Sequence, residues 1–447
     1  MTLIKREISW IDKLDRNIIP YVEYPGYDNR YPAVNGLGIE EYKVKELRSV
    51  SKQLYRIFSK VTRVFQKCPE DFMKKMDIPE KLIPYLNIPN YMNLPSFLSR
   101  FDFVLDENHN FKMVEINADT PCAIPEAYYG NGVFCKETGL GDVNDGCYNN
   151  LVSYMFKVFN KTYDLYIDLH TGKFSNRTPY VFSCFDDYIE DKGNTMFLMD
   201  AMQKAISFNN IPGDLIEFVS FYDLKVDDFD GSIILPDGRR ANALYRLHPL
   251  EILIDEVSDD GDELGDLLLR GYQNEEFTMF NPPESIIMQC KGFQALVWYL
   301  NNSEEGKKIF TEEESKCIEQ YMLPSYFETD FNEFDAIRKG EQEWIVKPIW
   351  GREGSGIKVI DSNKNILFTK EIDADDEIVQ RTPNINLYQK YIRQPLLNCK
   401  VDDPELRSGT YTFSCFMLGN KSDALYARVS YDPIAGTEAY WVPLYYL

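Results

Sequence analysis

Short apolar runs typical of β-strands alternate along this chain with segments of helical periodicity. Residues 41–67 repeat apolar side chains at the three-to-four spacing of an amphipathic helix. Further helical segments are predicted at residues 145–169, 194–208, 284–301 and 311–322. Strand-like runs lie between these segments and become frequent after residue 343. The alternation predicts an α/β or α+β fold and excludes all-helical and all-β architectures.

The composition is that of a large, acidic globular chain. Its 447 residues, of which 44% are hydrophobic, allow two or three domains. Asp and Glu number 71 against 48 Lys and Arg, so the formal net charge is −23 at pH 7. This charge disfavours nucleic-acid binding and docking on anionic membranes, and it favours cationic or metal-chelated ligands.

Targeting signals and cysteine usage bear on the compartment. No apolar run approaches the roughly 18 residues needed to cross a bilayer, and the first residues lack the apolar core of a signal peptide. The nine cysteines show no Cys-x-x-Cys spacing, and three histidines are too few for a histidine-rich metal site. We therefore expect a reduced, cytoplasmic protein with no membrane or nucleic-acid partner.

Residues 100–117 contain two extended runs around a polar break, which predicts a β-hairpin. If the turn falls midway, Arg100 lies opposite Asn117, and Asp102 lies opposite Glu115. Two opposed carboxylates repel unless a cation lies between them, and oxygen ligands of this kind suit Mg²⁺. The hairpin is therefore a candidate metal site, and a surface hairpin with scattered charges is the alternative.

A strand-like run ending in a lysine leads into a glycine-rich loop. Its candidate ligand-binding residues are Lys347, Gly351, Arg352, Gly354, Ser355 and Gly356. Glycine lets backbone amides approach phosphate oxygens, and the two basic side chains add positive charge. The segment matches neither a Walker loop nor a dinucleotide fingerprint. A nucleotide site and a tight hairpin with incidental basic residues both remain open at this point.

Six motifs taken together resemble the synthetase domain of glutathionylspermidine synthase, an ATP-grasp ligase family. They lie at residues 115–121, 245–251, 289–296, 323–327, 347–355 and 388–389. The segment around Arg428 is also similar, and all of these occur in the order found in the family. The metal-binding hairpin precedes the nucleotide lysines, as it does in the circularly permuted branch of ATP-grasp enzymes. The resemblance runs from about residue 20 to the end of the chain.

The resemblance implies an ATP-grasp fold with a preceding α/β substrate-binding region. Three parts are expected: residues 1–130 with the metal-binding hairpin, 131–285 as the substrate-binding region, and 286–447 with the ATP-binding lobe, lid and core. It also implies a ligase that phosphorylates a carboxylate with ATP and then lets an amine displace the phosphate. The implied cofactors are ATP and Mg²⁺, and the implied partners are small-molecule carboxylate and amine substrates.

Residue roles follow from the same resemblance. It places Mg²⁺ on Asp102, Glu115 and Asn117. It places the ATP phosphates on Lys291, Lys347 and the loop formed by Gly351, Arg352, Gly354, Ser355 and Gly356. Gln389 would lie near the adenine. Arg100 would meet the phosphoryl group, and Arg428, in a mobile loop, would stabilise negative charge on the reacting species.

The substrates stay open in this comparison. Arg428 is followed by Val-Ser-Tyr-Asp rather than by the nearer acidic residue that family members carry, and the family acids that hold the polyamine have no clear counterpart here. One alternative is an inactive homologue with a nucleotide-binding or regulatory role. Another is a ligase of the same chemistry that uses an unrelated peptide and amine pair. The sequence assigns no oligomeric state.

Overall fold

The computed structural model describes most of the chain. The described residues are 8–23, 30–170, 179–211, 213–258, 261, 263–329, 342–371, 385–401 and 407–447. Within them the α-helices are α1 (Ile8–Ile11), α2 (Glu41–Phe65), α3 (Glu70–Lys75), α4 (Asn131–Thr138), α5 (Cys147–His170), α6 (Ile189–Phe208), α7 (Leu250–Leu253), α8 (Leu264–Gln273), α9 (Ser285–Gln289), α10 (Gly292–Asn302) and α11 (Glu312–Tyr321). Shorter helical turns lie at Glu80–Tyr85, Glu126–Gly130, Gly213–Leu215, Phe221–Asp223 and Gly306–Lys308.

The same described residues contain strands from one end of the chain to the other. They are β1 (Leu37–Ile39), β2 (Leu98–Leu105), β3 (Phe111–Asn117), β4 (Gly141–Asp142), β5 (Tyr180–Ser183), β6 (Ile216–Phe218), β7 (Lys225–Val226), β8 (Ile233–Ile234), β9 (Ala243–Arg246), β10 (Thr278–Phe280), β11 (Ser325–Phe327), β12 (Trp344–Pro348), β13 (Lys358–Ile360), β14 (Ile366–Thr369), β15 (Asn386–Lys390), β16 (Leu397–Cys399), β17 (Arg407–Leu418), β18 (Lys421–Ser430), β19 (Tyr440–Trp441) and β20 (Leu444–Tyr446). Helices and strands alternate, so the predicted mixed α/β class is confirmed.

Helix α2 forms from the sequence periodicity that predicted it. The side chains at the predicted apolar positions, from Val44 to Val61, are buried, and the helix packs on strands β17 and β18. Burying such a stripe is what stabilises an amphipathic helix within a protein. None of the described helices is both long and apolar enough to cross a membrane.

A parallel sheet in the order β10-β9-β5-β6 occupies the middle of the chain. Helix α6 connects β5 to β6, which lies beside it in parallel, while β9 pairs with β5 on the other side. The chain therefore places β6 on one side of β5 and the later strands β9 and β10 on the other side. In sheets of this kind a ligand crevice opens beyond the carboxyl ends of the strands at the reversal.

Two antiparallel sheets carry most of the predicted site residues. One has the order β19-β18-β17-β2-β3, with β16 also paired to β17, and includes the predicted hairpin. The other has the order β11-β15-β12-β13-β14, with Lys347 on β12 and Gln389 on β15. Two small sheets, β1-β20-β4 and β7-β8, lie outside these.

A buried ion pair joins the hairpin to the parallel sheet. Asp119, just after β3, accepts hydrogen bonds of 2.6 and 2.9 Å from the two terminal nitrogens of Arg246, at the end of β9. The same carboxylate accepts from the Ser285 hydroxyl at 2.8 Å and from the backbone amide of Leu250 at 3.0 Å. Burial alone would raise the pKa of Asp119, but Arg246 outweighs burial and holds that pKa below its ordinary value.

Two local predictions differ from the structure. The helix predicted at residues 284–301 is interrupted at Cys290 and Lys291, which separate α9 from α10. The mobile loop implied for Arg428 is wrong, because Arg428 lies inside β18 and pairs with Thr412 on one side and Trp441 on the other. A residue paired on both edges is held by backbone hydrogen bonds from two neighbouring strands.

Candidate active site

The hairpin β2–β3 has the predicted pairing. Arg100 pairs with Asn117, and Asp102 pairs with Glu115. The register then shifts, because Asp102 pairs with Glu115 while Phe103 pairs with Met113, which leaves Val114 as the extra residue of a β-bulge. The hairpin turn is therefore centred half a residue earlier than the position assumed from the sequence. The extra residue in β3 compensates for this difference, so the predicted pairs still form.

The register of three strands brings further polar residues beside this hairpin. Asp102 lies opposite Ser414 of β17, and Ser414 lies opposite Tyr426 of β18. Because side chains alternate between the two faces of a sheet, Arg428, two residues after Tyr426, shares the face of Asp102. The opposite face carries Phe101 and its neighbours into the core.

Asp102 is the centre of this polar face. It is fully buried and accepts hydrogen bonds of 2.8 and 2.9 Å from the Nε and a terminal nitrogen of Arg100. A terminal nitrogen of Arg428 lies 3.8 Å from Oδ2, and the side-chain amide of Asn117 donates to Oδ2 at 3.4 Å. Burial favours the neutral acid, but the charge and hydrogen bonds of Arg100 outweigh it and lower the pKa of Asp102.

The donor chemistry of Asp102, Glu115 and Asn117 fits Mg²⁺, which prefers carboxylate and amide oxygens and keeps several waters. Among the described residues, no three His, Cys, Asp or Glu side chains form a metal-binding group. A cation here would therefore depend on Asn117, water or phosphate oxygens beside the two carboxylates. Arg100 already occupies both oxygens of Asp102, so metal binding would have to share or displace those hydrogen bonds.

Lys291 reaches the hairpin from the break between α9 and α10. Its ammonium lies 3.9 Å from Oε2 of Glu115 and donates a short hydrogen bond to the carbonyl oxygen of Gly351. Gly351 begins the glycine-rich loop, so the Lys291 ammonium contacts both the candidate metal site and the loop. The break in the helix, which the sequence periodicity did not predict, is the feature that places it.

Lys347 approaches the hairpin from the second antiparallel sheet. Its ammonium donates to Oε1 of Gln389 at 2.8 Å and to the carbonyl oxygen of Val114 at 3.3 Å. Val114 is the bulged residue, and a bulge leaves a backbone group free of the ladder. Burial, which the charge of Glu115 opposes and that of Lys291 reinforces, lowers the pKa of Lys347 to about 8.

Gln389 is buried against the ammonium of Lys347. Its amide nitrogen donates to Gln294 and to the Ser325 hydroxyl, both at 3.1 Å, which fixes the orientation of the amide. The role near adenine that the resemblance implied for Gln389 stays a prediction. In the structure, the side-chain oxygen of Gln389 accepts a hydrogen bond from Lys347 and so orients the ammonium group.

The glycine-rich loop is a tight turn between β12 and β13. Gly354 and Gly356 have φ values of +77° and +69°, which side-chain-bearing residues rarely adopt. The amide of Ser355 donates to the carbonyl oxygen of Arg352 at 2.7 Å, and the Arg352 guanidinium pairs with Glu251 at the start of α7. The loop therefore reaches the crevice beyond the parallel sheet.

Three carboxyl groups that the sequence did not single out lie close to these residues. They are Glu126, Glu190 and Asp191. Burial raises the pKa of Glu126 to about 7, that of Glu190 to about 8 and that of Asp191 to about 7. Glu190 and Asp191 lie in the first turn of α6, the helix that follows β5. This position, near the edge where such sheets bind ligands, is the signal that could have indicated them.

The fold and this polar site define a chain of the ATP-grasp-like α/β class, as predicted. The chain belongs to the glutathionylspermidine synthase preATP-grasp family, whose model matches residues 19–446. A Haemophilus influenzae protein named "Putative acid--amine ligase" is 22% identical over 358 residues, which cover 79% of this chain and 75% of that protein. A glutathione synthetase-like effector from Globodera pallida, in its apo form, shares the fold with a TM-score of 0.58 at 9% identity, over 99% of this chain and 96% of the effector.

Proposed function

We propose that the protein is an ATP-dependent carboxylate–amine ligase that forms ADP through an acyl phosphate. The observation that carries the proposal is the meeting of Lys291 and Lys347 with the Asp102–Glu115 pair, from elements far apart in sequence. Cations placed beside hard oxygen ligands suit a metal-bound triphosphate. Membership of the family and the acid–amine ligase name of the Haemophilus influenzae relative support the same reaction type.

The proposed roles follow from charge and position. Phosphoryl transfer needs alignment and charge neutralisation rather than a protein nucleophile. Lys291, Lys347 and the backbone of the 351–356 loop would bind the phosphates of ATP. Asp102, Glu115 and Asn117 would hold Mg²⁺, which when bound neutralises phosphate charge and aligns the triphosphate.

The two arginines would act on the transferred group. Arg100 and Arg428 both lie beside Asp102, within reach of the same carboxylate. A cation bound to Asp102 would weaken its hold on them, which frees guanidinium groups for the phosphoryl group and for the negative charge that develops on the acyl phosphate. We propose Arg100 for the first role and Arg428 for the second.

We further propose that the substrates are a peptide or amino-acid carboxylate and an amine or polyamine, in the cytoplasm. The net charge of −23 supports a cationic amine. The nine cysteines are free thiols, which agrees with a reducing compartment.

The test is ADP release with Mg-ATP, screened over carboxylates and amines. We expect ADP formation that requires a carboxylate, and loss of about 10²–10³-fold in Glu115→Gln, the range for removing one preorganised charge contact. The matched control is Glu107→Gln, in the exposed turn of the same hairpin, which should keep full activity. ATP binding without ADP release for any substrate pair would favour the inactive nucleotide-binding homologue instead.

A further inference from the structure

Polar side chains from three neighbouring strands meet on one face of the sheet that carries Lys347. Ser325 on β11 lies directly opposite Gln389 on β15, and Gln389 lies opposite Ile345 on β12. Residues two apart on a strand share a face, so Lys347 lies on the same face as Gln389. Helix α10 packs on β11 and adds the side chain of Gln294 to this group. The four polar side chains are all buried.

The hydrogen bonds of this group fix the orientation of the Gln389 amide. The ammonium of Lys347 has donors and no acceptor, so the amide oxygen of Gln389 must face it. The Ser325 hydroxyl donates its own proton to the carbonyl oxygen of Leu323 at 2.9 Å, which leaves its oxygen to accept from the Gln389 amide nitrogen. The same nitrogen donates to Oε1 of Gln294. A rotated amide would point its donors at the ammonium, so only one orientation is favourable.

Both donors of the Gln389 amide are used inside the protein. A glutamine side chain has two N–H donors, and here they go to Ser325 and Gln294, both at 3.1 Å. Its oxygen accepts from Lys347 at 2.8 Å. A ring nitrogen of a bound purine would need a donor that this amide no longer has. The amide of Gln389 is therefore committed to the ammonium.

The ammonium of Lys347 is held by two of its three N–H groups. Within the described part of the chain these two donate to Gln389 and to the carbonyl oxygen of Val114. Fixing two donors of an ammonium group also fixes the direction of the third. Glu115 and Lys291 are the charged groups that act on it, and both belong to the proposed triphosphate site. The third N–H is therefore the one left for a phosphate oxygen.

Stability alone does not account for a buried polar group of this kind. Apolar side chains of similar volume often pack in such places with equal or greater stability. A hydrogen-bonded network in a buried site instead holds one geometry strictly, because each bond strengthens and orients the next. The network of Gln294, Ser325 and Gln389 ends on Lys347, so the geometry that it holds is that of the ammonium.

We propose that Gln294 and Ser325 are positioning residues that act through the Gln389 amide and direct the third N–H of Lys347 at a phosphate of ATP. This inference rests on the nucleotide site of the proposed function. It assigns the side chain of Gln389 to the phosphate end of the nucleotide and leaves discrimination of the base to other groups. Gln294 and Ser325 do not touch the nucleotide in this arrangement, so their effect passes through Lys347.

Calorimetric titration with ATP, tripolyphosphate and adenosine separates the two ends of the nucleotide. Gln294→Leu removes one acceptor of the network and nearly keeps the volume. We expect it to weaken binding of ATP and tripolyphosphate by about 3–10-fold, as for the loss of one neutral hydrogen bond, and to leave adenosine binding unchanged. Asn302→Ala, at an exposed position of the same helix, is the matched control and should change none of the three.

A double-mutant cycle distinguishes positioning from a general structural effect. In a Lys347→Met protein, Gln294→Leu should cause no further loss of ATP affinity, because the group that it positions has been removed. Additive losses in the double variant, or equal weakening of adenosine and ATP in Gln294→Leu, would overturn the proposal.

The base gives an independent readout for Gln389. Gln389→Leu should lower the affinities for ATP and inosine triphosphate by the same factor, because the two nucleotides differ only in the base. A preference for ATP over inosine triphosphate that disappears in this variant would show that the amide reads the base, which contradicts its assignment to the phosphate end.

Ser325→Ala is a second variant that removes a single oxygen atom and should also weaken ATP and tripolyphosphate binding. Thermal melts establish which variants are folded. If folded Gln294→Leu and Ser325→Ala proteins bind ATP as tightly as the wild type, the positioning roles are wrong and the nucleotide site stands. If the wild-type protein binds neither ATP nor tripolyphosphate, the nucleotide site of the proposed function has itself failed.

Discussion

At the scale of single residues, the position of Lys347 has two opposing effects. Its ammonium is almost completely buried, with Gln389 and a backbone carbonyl as its described hydrogen-bond partners. Burying a cation is unfavourable for the ligand-free protein, yet it presents an unscreened positive charge to a phosphate group. The side chain that ATP is proposed to require therefore weakens the fold in which it lies.

Replacing Lys347 with methionine should expose both effects. We expect Lys347→Met to weaken ATP binding by about 10–100-fold, as for the loss of one hydrogen bond to a charged group. Without ATP, the variant should be as stable as the wild type or more stable at pH 7. Calorimetric ATP titration measures the affinity, and thermal melts measure the stability. Lys358→Met, on the exposed side of β13, is the control.

The pH dependence follows from the lowered pKa. The folded value of about 8 lies below the ordinary value of 10.5, so the unfolded chain binds more protons between these two values. The destabilisation caused by the buried charge is complete below pH 8 and is relieved as the pH rises towards 10.5. ATP affinity should fall over the same interval in the wild type and stay flat in Lys347→Met. Unchanged affinity in a folded variant would remove Lys347 from the nucleotide site.

The hairpin pairs could be predicted from the sequence, and the acidic cluster could not. Alternation along a strand fixes which side chains share a face, so Asp102 and Glu115 follow from spacing alone. Glu190 and Glu126 meet only because α6 packs against the segment after β3, a tertiary contact that leaves no local pattern. The β-bulge at Val114 could not be predicted from the sequence either, because β3 contains no glycine that would indicate a bulge.

At the scale of elements, the glycine-rich loop is the part whose conformation is most specific. Gly354 has a φ of +77°, and a Cβ atom there would lie 2.7 Å from the carbonyl oxygen of Ala435. A side chain at this position would thus strain the backbone and push against Ile434 and Ala435. We propose that this loop closes over the phosphates as a lid, and the close contact with Ala435 adds a steric reason for glycine at position 354.

We expect Gly354→Val to lower kcat by at least tenfold while changing ATP affinity less, because the loop can no longer close over the phosphates. Gly238→Val is the matched control, since Gly238 has a φ of +84° in a turn with open space around it. Both changes carry a similar backbone penalty of about 1–2 kcal/mol. Steady-state kinetics and thermal melts compare them. Equal loss of activity in both variants would mean that the loop acts through stability alone.

Helix α2 and the alternating strands could be predicted because their apolar side chains repeat with the period of the element. The break between α9 and α10 could not be predicted, because apolar residues continue on both sides of it and their spacing does not show where a helix changes direction. The position of Arg428 in a strand agrees with the local sequence pattern. The resemblance to the family instead implied a mobile loop at Arg428, and the backbone pairing with β17 contradicts that implication.

At the scale of the whole molecule, the Asp119–Arg246 pair joins two sheets through a fully buried contact. Removing one partner leaves an uncompensated charge, so Asp119→Asn should destabilise the protein by about 3–5 kcal/mol in urea unfolding. Because the pKa of Asp119 is lowered in the folded state, this contribution is present above the ordinary value of 3.8 and is lost as the pH falls below it. The exposed control Glu304→Gln should change the midpoint far less. A small effect of Asp119→Asn would show that the sheets are held together by packing alone.

The pairing of β2 with β17 has a consequence for how the protein is made. Asp102 and its neighbour Ser414 are about 300 residues apart in the chain. At 5–20 residues per second, the ribosome needs roughly 15–60 s to deliver the second strand after the first. During that time the hairpin has an unpaired edge and a half-formed polar face, which invites association with other nascent chains. The proposed nucleotide site cannot exist on a partly synthesised chain, so its activity begins only late in translation.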